Sequence, residues 1–313
     1  MAALLALWST RCAPATSTSG AQAPAPTRDS LIVYHAGSLR EVLQELADSF
    51  LHRHPGVGIR LQGGGSVSMA RLGLAPKPSP DVYGMADYAI IPRVLMPSEA
   101  EWYGAFAGNA MVLVYTDRSQ GAGDITSDNW PDILLQPGIR AGHSDPALDP
   151  GGYRARLVFA LAERYYRRPG LAAALDRAVP TFGAFAAGQN PLDQLRAGEL
   201  DYLIAYRTTA RGPGLRYLPL PPTVDMSDPA LAATYGAVGI WVANSPADSF
   251  EIRGEPVFYG VTVPRRAPHP RLAEAFVALL LSDVGHGVLE RGGFTVPVHP
   301  RLEGSPPRSI TRQ

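Results

Sequence analysis

The stretch from residue 31 to residue 83 alternates in a way that constrains the fold more than any other feature. Leu31-Ile32-Val33-Tyr34-His35 is a short apolar run that ends in Ala36-Gly37-Ser38, the pattern of a buried strand entering a tight turn. Leu39, Val42, Leu43, Leu46 and Phe50 then recur at helical spacing up to Pro55-Gly56, with Ser38 placed as the N-cap. Val57 to Leu61 reads as a second strand, followed by Gly63-Gly64-Gly65-Ser66 and a short helix through Met69, Leu72 and Leu74. Asp81-Val82-Tyr83 supplies a third strand, leading into Ala86-Asp87-Tyr88. Strand, turn, helix, strand is the grammar of a parallel α/β sheet.

At 313 residues the chain suits two domains. Met111–Tyr115 is a further apolar strand, and the polar, turn-rich sequence after it predicts a crossing into a second lobe at residue 116. There a strand is expected over Ile139–His143, a helix opening at Asp149-Pro150-Gly151-Gly152, a short helix over Pro191–Ala197 and a strand over Tyr202–Tyr206. Pro256–Val263 returns as a strand, followed by an amphipathic helix through Leu272, Phe276 and Leu280. The expected division is therefore residues 31–115 plus 255–313 for lobe I and 116–254 for lobe II.

Twenty-eight basic residues balance twenty-eight acidic ones. That balance argues against a broad electrostatic grip on nucleic acid or anionic lipid. Residues 1–30 stand apart. An apolar run, Ala2-Ala3-Leu4-Leu5-Ala6-Leu7-Trp8, precedes the lone cysteine, Cys12, and a tract rich in Ala, Pro, Ser and Thr. This is the layout of a bacterial lipoprotein leader and tether, although Arg11 sits where a small residue is usual. Export to the periplasm or the outer face of the cytoplasmic membrane is expected, with Cys12 as the lipid attachment point; a disordered cytoplasmic leader is the alternative. One cysteine also leaves no internal disulfide, Cys-ligated zinc or cysteine nucleophile in the folded body.

Two turns carry the chemistry. In both, a strand passes through glycine into a serine at an expected helix start: Gly37-Ser38 and Gly65-Ser66. Unpaired N–H groups and a partial positive charge mark such helix starts, and a serine hydroxyl adds a donor. Two of them beyond neighbouring parallel strands converge where open α/β sheets bind ligands. Either turn alone reads more simply as a serine cap.

These residues resemble the tungstate/molybdate-binding proteins of ABC importers, in the archaeal-type branch. The likeness runs through Val33-Tyr34-His35-Ala36-Gly37-Ser38-Leu39, Gly65-Ser66-Val67 and Ala86-Asp87-Tyr88-Ala89-Ile90-Ile91-Pro92. It continues through Asn109-Ala110-Met111, Asn129-Trp130, Leu148-Asp149-Pro150, Gly152-Tyr153-Arg154 and Tyr259-Gly260-Val261-Thr262, spanning about residues 31–300. The resemblance implies a two-lobed periplasmic-binding-protein-like α/β fold of type II, with an oxyanion in the cleft between the lobes. It implies tungstate or molybdate as ligand, ABC permease subunits as partners and a monomer. It assigns Ser38, Ser66, Asp149 and Tyr153 to ligand binding, with His35, Gly37, Gly65, Asp87 and Ala205 around them. The family's Asp-Tyr-x-x-Glu-Tyr pattern aligns with Asp201–Tyr206, so that Ala205 stands where the family has a glutamate. That departure puts six-fold coordination of the metal in doubt.

Each residue also has a plainer role. Asp149 before Pro150 is a standard helix cap, and Asp87 suits a turn cap. Arg154 and Arg207 read as surface or hinge ion-pair partners. Sulfate, phosphate or thiosulfate remain alternative ligands, and a lipoprotein that senses without transporting remains an alternative role. Enzyme signatures are missing from the sequence: no Gly-x-Ser-x-Gly elbow, Walker loop or dinucleotide fingerprint occurs. No cofactor is called for.

Overall fold

A computed structural model describes residues 30–75, 79–181, 190–245 and 248–311. The expected leader and Cys12 lie outside these residues. The chain begins with β1 (Ser30–Ala36), whose buried Leu31 and Val33 face α1 (Arg40–Arg53). Helix α1 sets Val42, Leu43, Leu46 and Phe50 on one buried stripe, the i, i+3, i+4 pattern that the sequence displays. Next come β2 (Gly58–Gly64), α2 (Ser66–Gly73), β3 (Val82–Met85) and β4 (Trp102–Gly108). Strands β2 and β3 flank β1 and run parallel to it.

The crossing falls earlier than residue 116. Strand β5 (Met111–Tyr115) belongs to a second sheet, with only Asn109 and Ala110 separating it from β4. An apolar strand carries no mark of which sheet it joins, and here its partners come from far along the chain. Two helices, α3 (Trp130–Leu134) and α4 (Pro150–Tyr165), flank β6 (Ala141–Gly142), a two-residue remnant of the strand expected over Ile139–His143. After α5 (Leu171–Ala178) and α6 (Pro191–Ala197), β7 (Tyr202–Tyr206) and β8 (Arg216–Pro219) complete the sheet in the order β6-β7-β5-β8. Helix α7 (Ala232–Gly236) leads into a hairpin of β9 (Gly239–Ser245) and β10 (Asp248–Arg253), and β9 packs on α4.

The chain then returns. Strand β11 (Phe258–Thr262) inserts antiparallel between β3 and β4, giving a mixed first sheet rather than a purely parallel one. Two helices, α8 (Pro270–Leu280) and α9 (Asp283–Arg291), pack against α1, with Phe276 edge-on to Phe50 at 5.4 Å. Strand β12 (Arg301–Gly304) borders β4, and α10 (Arg308–Thr311) ends the described chain.

The two sheets define two α/β lobes. Their connections lie side by side: the Asn109 N–H donates to the Val257 carbonyl, and the Met111 N–H to the Asp225 carbonyl. The Val257 N–H in turn donates to Met226. Among the described residues no single helix is long and apolar enough to cross a membrane.

Candidate functional site

The carboxyl ends of β1, β2 and β3 point at the amino end of α4, and a cavity of about 760 Å³ lies between them. Ser38, Gly37 and Gly64 line it from the first lobe; Asp149, Gly151, Ser144, Ala205 and Tyr206 line it from the second. Ser38 and Asp149 thus line one cavity from opposite lobes.

Ser38 does not cap a helix. It sits within a 3-10 turn, Gly37–Leu39, and the start of α1 has no side-chain cap. Its hydroxyl instead lies 2.8 Å from the Tyr259 phenol oxygen, 221 residues away on β11. The Asn109 amide donates to that same phenol oxygen at 3.2 Å and to Thr208 at 2.8 Å. Burial, opposed by the Ser38 and Asn109 hydrogen bonds, pushes Tyr259 up to about 12, so the phenol stays protonated. Asn109 donates to Tyr259, while either hydroxyl of the Ser38–Tyr259 pair can be the donor; when Tyr259 donates, the Ser38 proton is free for the cavity. Neutral hydroxyls ordered in this way can replace part of an anion's hydration shell.

Ser66 opens α2, yet its side chain is no cap either. The fully buried hydroxyl accepts a hydrogen bond from the Ala86 N–H at 2.9 Å and ties α2 to the end of β3. The Ser66 backbone N–H is the group that faces the second lobe. It donates to the Asp149 carboxylate, which also receives the Gly151 N–H at 2.8 Å and a hydrogen bond from Ser144. Asp149 is therefore the N-cap of α4, as Asp-Pro predicts, and at the same time an acceptor for the first lobe's α2. Desolvation outweighs these hydrogen bonds and the nearby Arg154 charge, raising Asp149 to about 6.

The lobes touch closely here. The Ser68 N–H donates to the Leu148 carbonyl at 3.3 Å, and a Cβ added at Gly65 would stand 2.4 Å from that carbonyl oxygen. Gly152 is equally obligatory, since a Cβ there would meet the Ser144 carbonyl oxygen at 2.3 Å. Glycine at both positions lets backbone approach backbone.

Behind the cavity wall lies a buried ionic cluster. The Tyr153 phenol donates a very short hydrogen bond to Asp87 and is itself buried. Asp87 also caps its own turn through the Ala89 N–H at 2.9 Å. Arg154 is 1% exposed, so of the two expected roles, surface or hinge ion-pair partner, the surface one is excluded and the pairing is between the lobes. Its guanidinium donates to the Ala86 carbonyl at 2.6 Å and the Tyr206 phenol at 2.8 Å, and pairs with Asp87 at 3.4 Å. Arg154 and Tyr153 come from the second lobe, Ala86 and Asp87 from the first. Arg207 also spans the lobes, donating to the Gly293 carbonyl at 3.0 Å. Glu255 lies nearby at the return connection, bonded by Tyr88 at 2.8 Å; burial, then the Asp87 charge, raises its carboxyl above the usual range.

His35 is fully buried, its Nδ1 against the Ala36 carbonyl at 2.8 Å and its Nε2 without a hydrogen-bond partner. Burial lowers its pKa, and it does not line the cavity. Ala205 does line the cavity, and its methyl group offers no acceptor where the family pattern has a carboxylate. Asp201, at the start of the same pattern, is engaged elsewhere, by Arg140 at 3.1 Å. Sequence reasoning assigned no role to Tyr206, Tyr259, Asn109 or Thr208, which tie Ser38 and Arg154 in place.

Two α/β lobes, two connections and a cavity of backbone donors and hydroxyls between them define a solute-binding protein. The chain belongs to the bacterial extracellular solute-binding protein family, whose signature matches residues 31–295. A molybdate/tungstate-binding protein of Thermococcus kodakarensis is 30% identical over 311 residues, covering 91% of this chain and 86% of that one. A putative ABC transporter molybdenum-binding protein of Haloferax volcanii is 32% identical, covering 93% and 90%. An uncharacterized solute-binding protein of Petrotoga mobilis is 33% identical, covering 84% and 82%. Among solved structures, the sulfate-binding protein SubI of Mycobacterium tuberculosis superposes with a TM-score of 0.63 at 16% identity, covering 90% and 89%. The periplasmic molybdate-binding protein of Azotobacter vinelandii gives 0.59 at 16% identity, covering 85% and 99%. At such identities the structures speak for the two-lobed fold alone.

Proposed function

We propose that this chain captures tungstate or molybdate outside the cytoplasm, as a monomer, and delivers it to an ABC permease. Lobe I is taken as residues 31–109 with 255–313, and lobe II as 110–254. The observation that carries the reading is that Ser38 and Gly64 of the first lobe face Asp149 and Gly151 at the α4 amino end across one cavity. Relatives over most of the chain that carry molybdate or tungstate in their names support the choice of anion. Capture requires no chemistry. Hydroxyls and backbone N–H groups replace water around the anion, and closure of the lobes removes the rest. A permease then recognises the closed form, because only closure fixes the two lobe surfaces relative to each other. Attachment to the membrane through Cys12 belongs to the same proposal.

The fixed charges favour selection by hydrogen bonding over attraction. Beside the α4 amino end the buried Arg154 is already matched by Asp87, and the arginines that line the cavity, Arg40, Arg196 and Arg211, are exposed or half-buried. The Ser38 hydroxyl is a neutral group that suits an oxyanion, while the Ser66 and Gly151 N–H groups at the helix ends are held by Asp149 and become available only when its carboxylate turns away. A thermal-shift panel of tungstate, molybdate, sulfate, phosphate and thiosulfate tests the proposal. Ligand at a hundred times its Kd stabilises by about 2.7 kcal/mol. No shift with tungstate or molybdate, beside a clear shift with another solute, would end it.

A further inference from the structure

The cavity is larger than a tetrahedral anion requires. Its 760 Å³ falls within the roughly 300–1,000 Å³ of pockets that enclose organic small molecules, far beyond what a five-atom anion fills. Besides Ser38 and Asp149, the cavity is lined by the exposed Arg40 at the start of α1 and Arg211 after the 3-10 turn that follows β7. The first belongs to the first lobe and the second to the second. Arg40 lies along Gly63, its Nη2 3.3 Å from where a Cβ would stand, and Arg211 lies along Gly293, its Nη1 3.1 Å from the equivalent point.

The other charges lining the cavity do not neutralise this pair. Arg196 and Asp193 satisfy each other at 3.0 Å. Glu41 borders the cavity but forms no ion pair with either arginine. Among the described residues, neither Arg40 nor Arg211 has a carboxylate within ion-pair distance. Guanidinium groups present paired N–H donors that match a carboxylate or phosphate edge. Two of them left without an acid, on opposite lobes of an anion cavity, describe a place for a second negative group.

We propose that Arg40 and Arg211 form an outer anion subsite, and that the cavity accepts a small organic anion with two acidic groups. One group, a phosphoryl-like tetrahedron, sits against Ser38 and the helix ends; the other, a carboxylate, reaches the two arginines. This rests on the inner site being an oxyanion site, as proposed above, and extends its ligand class beyond inorganic anions. Because each arginine belongs to a different lobe, such a ligand bridges the lobes twice.

Phosphonoacetate and methylphosphonate share the tetrahedral head and differ in the carboxylate, so they are the probes. Calorimetric titration of the full chain with both, and with tungstate separately, makes the test. Phosphonoacetate is expected to bind at least ten-fold more tightly than methylphosphonate, and the ratio is expected to fall to near one in the Arg40→Ala, Arg211→Ala double variant. Equal affinities, a ratio that survives in the double variant, or no binding of phosphonoacetate overturns the outer subsite. Failure of tungstate to bind the unaltered protein overturns the inner reading instead, so the two failures are distinguishable. Both arginines are solvent-exposed, and a thermal melt of the double variant verifies that its fold is intact.

Discussion

The carboxylate of Asp149, at the head of α4 in one lobe, accepts the backbone N–H of Ser66, at the head of α2 in the other. A donor that could serve an anion is thus occupied by the protein's own acid. An entering dianion must share that helix end with Asp149, displace it or meet it protonated. Two unshielded negative charges at contact distance are unfavourable. Asp149→Asn keeps the capping oxygen and removes the charge. Equal or tighter molybdate binding is expected at pH 8, with α4 intact. Calorimetry decides it, and abolished binding would make the Asp149 carboxylate a true ligand of the metal centre.

The same residue sets a pH dependence. Its folded pKa, about 6, lies above the ordinary 3.8. The folded state therefore holds the proton more tightly than the unfolded chain. The contribution is fully present below about pH 4 and is lost as pH rises through 6. Allowing for water at the cavity wall, it is worth about 2 kcal/mol. Anion binding should also take up a proton, so tungstate affinity should strengthen from pH 8 to pH 6. Asp149→Asn should flatten both profiles, and an unchanged slope in that variant would assign the proton elsewhere.

Ser38→Ala and Ser66→Ala should fail differently. Ser38 lines the cavity, and if its hydroxyl donates to the anion its loss should weaken binding by about 1.5–3 kcal/mol, the range for hydrogen bonds to charged groups. Ser66 is fully buried and satisfies the Ala86 N–H. Its loss leaves that donor without a partner, at a cost of about 1–3 kcal/mol in stability. Urea denaturation and titration of both variants separate the effects. Greater destabilisation from Ser38→Ala than from Ser66→Ala would contradict the assignment.

Local chemistry was readable in the sequence where one segment decides the outcome. Asp149-Pro150 capped α4 as expected, and the apolar stripe of α1 placed its own core face. Capping by Ser38 and Ser66 was the wrong reading, because their partners, Tyr259 and Ala86, lie on other strands. The sheet that β5 joins is not legible for a related reason, since its partners are β7 and β8, more than eighty residues away. A usable signal did exist for Arg154. Helical spacing puts it on one face with Leu157, Val158 and Leu161, so a charge in that stripe must be buried and paired.

Arg154 gives a further prediction. Arg154→Met leaves Asp87 charged and buried without its cation, and breaking such a pair typically costs about 3–5 kcal/mol. Arg154→Lys should rescue little, because a point charge cannot reach Ala86, Tyr206 and Asp87 together. Chemical denaturation measures both. Wild-type stability in Arg154→Lys would show that the guanidinium geometry is dispensable.

Replacing Ala205 tests the coordination of the anion. With alanine there, tungstate should keep four short oxygens, and Ala205→Glu should add carboxylate oxygens toward six-fold coordination. X-ray absorption at the tungsten edge separates the two. A six-coordinate spectrum in the unaltered protein would mean that Asp149 and another residue complete the shell.

The central claim is that the cavity between the lobes selects tungstate or molybdate. Equilibrium dialysis of ligand-free protein against tungstate, with sulfate and phosphate in hundred-fold excess, tests it most directly. One tungstate is expected to bind per chain, displaced by molybdate and little affected by the excess anions. Tungstate fully displaced by sulfate or phosphate, or never bound, would contradict it.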